Sequence, residues 1–447
     1  MRNTNIPRMM GIPVPFQYEG LCAVIRDNWN KLCQHFQTYT VGQDYPVSRI
    51  HIRKMYDEDN NMQKHELFEM NYSNWKNDGS PENELLITDS GVSKYIVCAD
   101  ISTCFPSVYS HSLPWALVGK EYAKSNRDTR LWFNKIDKAC QSIKNGETHG
   151  LLIGPHASNL LAEIILVVVD KKLWDRGYRF YRNIDDYDCY VASYEDAQKF
   201  LNALEYELRQ FDLIINYKKT RIDELPVSST EHWIHKLNAI STVASYGKTS
   251  YKEVNNYIDI AIKLTEETSN AAILKYAIKT LAGLDNITIN GNNIALKRIM
   301  HLTIIYPYLL PLMQPYVFDR YGICPVEIIK FANILYCESL RINNYEGVCF
   351  AIYFSLVYEF DISNINCQEL INTQDCLVML FAWIYFRRHG TDKVLCLLKR
   401  EAERLRDTSM GRYWLFVYEV LSANELKDDW KTMKGKNISF IRRRFSV

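Results

Sequence analysis

An α+β amino-terminal half followed by an all-α carboxy-terminal half is the fold class that this sequence predicts. Three observations predict it. An apolar, β-rich run, Tyr95-Ile96-Val97-Cys98-Ala99-Asp100, ends on a single acid. A second β-rich stretch, Phe180 to Val191, turns back on itself about Ile184-Asp185-Asp186-Tyr187. Beyond about residue 240 strand signals fade and helical periodicity continues. At 447 residues the chain suits two or three domains, and its 47% hydrophobic and 23% charged content is that of an ordinary globular protein.

Taken in order, Ala23 to Phe36 has the periodicity of a helix, Val47 to Met55 alternates as a strand does, and Asn74 to Asn83 is a polar loop around Gly79-Ser80-Pro81. Arg49, Arg53, Lys54 and Lys64 are the nearest approach to a basic cluster here, readable as a solvated strand face or as a triphosphate clamp. The run ending at Asp100 predicts a buried strand that delivers a carboxylate at its end, as open sheets commonly do. His149 to Ser158 opens a helix that continues through Val169. Gly150 and Gly154 in that loop allow backbone to approach a ligand closely, and the helix start favours an anion. The spacing matches neither the P-loop nor the dinucleotide pattern. Glu195 to Gln210 is amphipathic, with Ala197, Phe200, Leu201, Leu204 and Leu208 on one face. Leu213 to Tyr217 predicts a strand, followed by Lys218-Lys219-Thr220. Strand, helix, hairpin, helix and strand in that order make a sheet with helices on one side, in which the Asp100 strand lies beside the acidic hairpin.

The second half reads as helices over Tyr251–Leu264, Ala271–Leu284, Val326–Leu340, Gly347–Tyr358, Cys376–Arg388, Asp392–Arg406 and Arg412–Leu421. High apolar content on most of them predicts stacked helix pairs that bury each other, although no repeated sequence motif marks a unit. The uncharged run Ile299 to Phe318 contains Pro307, Pro311 and Pro315, which predicts buried helices broken at proline rather than a membrane span.

The net charge of +1 argues against indiscriminate nucleic-acid binding and leaves room for a focused basic groove. Residues 240–447 hold 25 Lys and Arg against 21 Asp and Glu, so the half bearing the acids is the acidic one. Twelve dispersed cysteines without a C-x-x-C pair predict reduced thiols rather than a disulfide framework or a zinc site. No apolar signal core follows Met1, so a cytoplasmic location is expected.

Asp185-Asp186 needs an explanation that a turn alone does not supply. Adjacent carboxylates repel, and a tight hairpin normally takes Asn-Gly or Asp-Gly at its tip. A solvated turn is one reading; a bound divalent cation is the other.

Four pieces in order resemble the palm of reverse transcriptases: Asp100 with Phe105 five residues on, the Gly150 to Ser158 loop and helix, the Asp185-Asp186 turn, and Asn216 to Thr220. More narrowly, Asp100 to Ser112 (DISTCFPSVYSHS) and Ile153 to Ile164 (IGPHASNLLAEI) resemble the bacterial abortive-infection (Abi) polymerases, of the AbiK type and its prophage-borne relatives. The resemblance implies reverse-transcriptase fingers and palm over residues 1–240 and an α-helical, HEAT-like domain over 241–447. It implies Asp100, Asp185 and Asp186 as catalytic metal ligands for Mg²⁺ or Mn²⁺, with the Ile101 carbonyl completing a site. It implies Phe105 beneath the sugar, Gly154 and Arg53 at the nucleotide, and Lys219 near the leaving phosphates. Two departures from templated enzymes stand out: Ile153 replaces the usual Gln before the glycine, and Asn183 the usual Tyr before the acids. Together with the Abi resemblance they favour template-independent DNA synthesis from deoxynucleoside triphosphates, primed on a protein hydroxyl and serving phage defence. The expected product is single-stranded DNA attached to the protein, and the expected assembly is a homo-oligomer away from membranes. Among thirty tyrosines, Tyr18, Tyr39 and Tyr45 are the primer candidates, because they lie in or beside amino-terminal segments that read as loops. Templated synthesis of retron or intron kind and a non-catalytic helical scaffold remain the alternatives.

Overall fold

A computed structural model describes residues 9–48, 50–51, 69–70, 85–88, 91–227, 232–244 and 248–442. The chain divides into two compact units, residues 9–227 and the residues from 228 onward. The basic residues Arg49, Arg53, Lys54 and Lys64 and the polar loop 74–83 lie outside the described residues.

The first unit begins with helices α1 (Pro15–Asp27) and α2 (Trp29–Thr40). A single helix over Ala23–Phe36 was expected; the break falls at Asn28, whose Nδ2 donates to the Val24 carbonyl at 2.9 Å and closes α1. Strand β1 (Tyr95–Asp100) is followed by four helices, α3 (Cys104–Ser107), α4 (Ser112–Val118), α5 (Lys120–Ser125) and α6 (Trp132–Ser142). Then come α7 (His156–Asp175), the strands β2 (Arg179–Asn183) and β3 (Asp186–Val191), α8 (Tyr194–Arg209) and β4 (Arg221–Glu224). These four strands form one antiparallel sheet in the order β2-β3-β1-β4, and two short antiparallel pairs, Ile50–His51 with Glu69–Met70 and Ile87–Thr88 with Gly91–Val92, stand apart from it.

Helix α7 runs through the core, with α2, α4 and α8 packed against it. Its Leu161, Ile164, Ile165 and Val169 are fully buried, and each such side chain contributes about 1.5–3 kcal/mol by leaving water. His35 of α2 bonds the Ile164 carbonyl at 2.8 Å, tying the two helices through a buried polar contact. Helix α8 starts on Ser193, whose Oγ accepts the Asp196 amide, and lays Ala197, Phe200, Leu204 and Leu208 onto the core. The expected strand Leu213–Tyr217 is not one. Ile215 makes only an isolated bridge to Ile101, and the Lys219 and Thr220 amides turn back onto the Asn216 carbonyl. The strand partner of β1 on this side is β4, from Arg221 onward.

The second unit is helical among the described residues: α9 (His232–Ala244), α10 (Tyr251–Thr268), α11 (Ala272–Ala282), α12 (Ile289–Ile305), α13 (Pro325–Arg341), α14 (Tyr345–Tyr358), α15 (Cys367–Asn372), α16 (Cys376–His389), α17 (Asp392–Val420) and α18 (Asp428–Gly435). Ser250 and Glu253 form a capping box at the start of α10. Successive long helices pack on one another, α13 on α14, α14 on α16 past the short α15, and α16 on α17. Gly347 makes one of these contacts possible, since a Cβ there would stand 2.1 Å from Ser339 Oγ. The span labelled α17 holds the two helices expected there, one running into the other across a kink where Ser409 (φ −152°, ψ 36°) and Tyr413 (φ −112°, ψ 17°) leave helical geometry. The run 299–318 breaks after Ile305 into short turns beginning at Pro307, and no helix among the described residues is long and apolar enough to cross a membrane. All twelve cysteines are free thiols.

Candidate active site

The register of the central strands brings the acids together. Asp100, the last residue of β1, is the Cα partner of Asp186, the first residue of β3, and Asp186 in turn faces Asn183 of β2. The link between β2 and β3 is the two-residue turn Ile184-Asp185. Ile184 adopts φ +60°, a left-handed conformation that β-branched residues rarely take. Two bonds hold it there: Arg182 Nη1 donates to the Ile184 carbonyl at 2.9 Å, and the Ile101 amide donates to the Asp185 carbonyl at 3.0 Å. Ile101, expected to supply a carbonyl, is thus buried just beyond β1 with its amide committed to the acid turn.

Asp100 is buried and doubly held. Asn216 Nδ2 donates to its Oδ2 at 2.8 Å and Lys219 Nζ to its Oδ1 at 3.0 Å, while the Asn216 amide bonds the Asp100 carbonyl at 2.7 Å. Lys219 is 55% exposed, so its ammonium can leave Asp100 at little cost in desolvation. Burial and then the neighbouring charge of Asp185, with a hydrogen bond to and the charge of Asp100, push the Asp186 carboxyl up to about 7; Lys219 acts the other way. The thiol of Cys104 at the start of α3 registers the same field, pushed up to about 12 by burial and then by Asp185, with Asp100 adding to the rise.

Beneath the turn lies a charged layer that sequence reasoning missed. Arg182 is 0% exposed, Glu163 1% and Asp170 2%. Arg182 Nη1 and Nη2 reach Glu163 at 3.0 and 2.8 Å, and Nε and Nη2 reach Asp170 at 2.9 and 2.6 Å. Tyr187 Oη donates to Asp170 at 3.1 Å. Burial acts to lower the Arg182 pKa, but the charges of Asp170 and Glu163 outweigh it and hold it well above its ordinary value. The available signal was two acids seven residues apart in the apolar run of α7, a spacing that returns to the same helix face.

The other candidate residues fall as follows. Phe105 lies on α3, half-buried against the core, with its carbonyl accepting the Leu151 amide at 2.7 Å. Gly150, at φ +84°, sits so close to this turn that a Cβ would come 2.9 Å from the Pro106 carbonyl. Gly154, at φ +125°, faces Met10 and Gly11, and the Gly11 amide bonds the Ile153 carbonyl at 2.8 Å. Arg53 lies outside the described residues. Tyr18 and Tyr39, expected on or beside loops, are on α1, which Pro15 opens, and on α2. Tyr45 is not free either: its hydroxyl donates to the Phe180 carbonyl and accepts the Phe180 amide, both at 3.1 Å, and burial raises its pKa. All three pack against the core.

The donor chemistry fits a hard divalent cation, since clustered carboxylate oxygens are what Mg²⁺ and Mn²⁺ take and the mutual repulsion at Asp186 is what a cation relieves. The arrangement is one of pairs, not a closed cage. Among the described residues no three His, Cys, Asp or Glu side chains converge into a metal-holding group. Both oxygens of Asp100 are engaged by Asn216 and Lys219, so a cation there would compete with the exposed Lys219 ammonium for Oδ1.

No known protein family matches the chain, and no curated protein does. Among solved structures it is similar to a telomerase from Candida albicans in complex with a TWJ fragment of telomeric RNA, at 11% identity and a TM-score of 0.30. That match covers 85% of this chain, which spans 57% of the telomerase chain's length.

Proposed function

We propose that this protein is a nucleotidyltransferase: a DNA polymerase of reverse-transcriptase type that extends a protein hydroxyl without a template and acts in abortive-infection defence against phage. The observation that carries the reading is the opposition of Asp100 and Asp186 on adjacent strands with Asp185 in the turn between β2 and β3. Two Mg²⁺ or Mn²⁺ ions, when bound, activate an attacking hydroxyl and stabilise the leaving pyrophosphate. Asp100, Asp185 and Asp186 would hold them, with the Ile101 carbonyl as a further oxygen ligand. Lys219, released from Asp100, neutralises charge on the leaving phosphates. Phe105 excludes a 2′-hydroxyl beneath the sugar, and Gly154 and Arg53 contact the nucleotide. A tyrosine near the amino terminus, among Tyr18, Tyr39 and Tyr45, primes synthesis; since all three pack against the core, priming requires that one of them leave it. The half from about residue 241 serves as a HEAT-like helical domain in a cytoplasmic homo-oligomer. The motif resemblance supports the Abi assignment, and Ile153 and Asn183 in place of the usual Gln and Tyr support independence from a template.

The test is incubation of the purified full chain with Mg²⁺ and labelled deoxynucleoside triphosphates, with no nucleic acid added. The expected result is label that migrates with the protein and is released by nuclease. Incorporation only after an RNA is supplied would replace the proposal with templated synthesis, and no incorporation under either condition would leave a scaffold.

A further inference from the structure

A second site lies in the first unit, built from α4, α5, α6 and the segments joining them. A cavity of about 460 Å³ opens there, lined by Tyr109, His111, Trp115, Lys124, Arg127, Asp137, Lys138 and Gln141 among others. None of these residues is used by the acid cluster described above.

The floor is polar and fixed. Asp137, 6% exposed, accepts from His111 Nδ1 at 2.5 Å through Oδ2 and from Gln141 Nε2 at 2.8 Å through Oδ1. Gln141 Nε2 also reaches the buried Ser110 hydroxyl at 3.3 Å. A carboxylate on Nδ1 sets the imidazole's orientation and leaves Nε2 on the opposite edge of the ring for a ligand. The His111 side chain is 42% exposed, so that edge can be reached. Tyr109 stands edge-on to His111 at 4.8 Å and to Trp115 at 5.7 Å, giving the cavity an aromatic wall.

The rim is cationic and uncompensated. Lys124, Arg127 and Lys138 line the cavity with no carboxylate partner among the described residues, while the one acid of the lining is already spent on His111 and Gln141. Lys124 also lies 5.8 Å from the Trp115 ring centroid. Three exposed cations, a carboxylate-oriented histidine and an aromatic wall together suit a ligand that carries both a phosphate and a ring. The volume falls within the usual range for small-molecule sites and far exceeds what a bare phosphate fills.

We propose that this cavity binds a nucleoside monophosphate group, with the phosphate among Lys124, Arg127, Lys138 and His111 Nε2 and the base against the Tyr109–Trp115 wall. The group can come from a free mononucleotide or from the 5′-phosphorylated end of a strand.

Calorimetric titration of the full chain with dAMP, deoxyadenosine and inorganic phosphate at low ionic strength tests it. We expect dAMP to bind at least tenfold more tightly than either fragment. Arg127→Gln combined with Lys138→Gln should weaken dAMP at least tenfold without lowering the melting temperature, since both side chains are exposed. Asp185→Asn should bind dAMP as the wild type does. Tighter binding of a 5′-phosphorylated tetradeoxynucleotide than of dAMP would identify a strand end as the source, and the reverse order a free nucleotide. The proposal is overturned if inorganic phosphate binds as tightly as dAMP, if the double substitution changes nothing, or if Asp185→Asn is the variant that loses binding. These readouts need no polymerase activity, so the site stands or falls apart from the function proposed above.

Discussion

Replacing Arg182 with Met removes the cation from beneath the acid turn while keeping most of the side chain's apolar length. Glu163 and Asp170, 1% and 2% exposed, then lose their shared partner, and the Ile184 carbonyl loses a donor at 2.9 Å. Breaking a buried ion network by removing one member costs about 3–5 kcal/mol, and the orphaned carbonyl adds about 1 kcal/mol. With a urea dependence of about 2–3 kcal/mol per molar, a loss of about 5 kcal/mol lowers the unfolding midpoint by roughly 1.7–2.5 M. Urea titration of the full chain measures this, and hydrogen exchange of peptides spanning 179–191 localises it to the hairpin. Tyr187→Phe deletes only the bond to Asp170 and should cost about 0.5–1.5 kcal/mol. Arg182→Met combined with Glu163→Leu and Asp170→Leu should recover most of the loss, because an apolar replacement of a whole buried network is often neutral or stabilising. A single variant within about 1 kcal/mol of the wild type, or a triple variant no better than the single, would refute the reasoning.

Asp185→Asn keeps the side chain's size and removes the charge that holds a hard cation, so nucleotide incorporation should vanish with an unchanged circular dichroism spectrum; wild-type rates would sink the assignment. Phe105→Ala or Phe105→Val should admit ribonucleotides, read as the ratio of ribo- to deoxynucleotide incorporation, and an unchanged ratio would remove the sugar-gate role. Asp186 holds its proton more tightly folded than unfolded, its carboxyl standing at about 7 against an ordinary 3.8. The sign follows: the stability this group contributes is full below its ordinary value and is lost as pH rises through about 7. A divalent cation competes with that proton, so added Mg²⁺ should raise the melting temperature more at about pH 8 than at about pH 6, and equal increments would contradict it. Mass spectrometry of the nuclease-trimmed protein should find a nucleotide adduct on Tyr18, Tyr39 or Tyr45; an adduct on a serine, on a tyrosine of the second half or on no residue would defeat the primer assignment.

The hairpin was legible because its strands alternate and its acids sit where only a turn can be. The end of β1 was legible because an apolar β-rich run stops at Asp100. The neighbouring segment was misread because Leu213 and Ile215 alternate with exposed Ile214 as a strand's residues do, while the bonds that end pairing there are made by the backbone of residues 216–220. Backbone partners of this kind leave no mark in side-chain periodicity. The segment around Tyr18 was read as loop, although Pro15 stands in the first turn of a helix, where its missing N–H has no intrahelical partner to lose. The Arg182 layer stayed hidden for another reason. Its outer two charges lie nineteen residues apart, and only tertiary packing of α7 under the hairpin makes the three neighbours.

Strand β1 has another property that bears on how the protein is made. Both of its sheet neighbours, β3 and β4, lie downstream of it, and about 125 residues separate Asp100 from the end of β4 at Glu224. A ribosome adding 5–20 residues per second needs roughly 6–25 s to cover that distance. Until β3 emerges the nascent chain carries Ile96, Val97 and Ala99 on a strand with two open edges, and until β4 emerges one edge stays open, a template for pairing with other nascent chains. Synonymous codons that slow elongation between residues 100 and 224 lengthen the interval and should lower soluble yield, whereas the same delay placed after residue 227 should not. Production of this protein is therefore sensitive to where translation pauses, and coexpression of a chaperone that shields extended apolar segments should help most when the pause falls before β4 emerges.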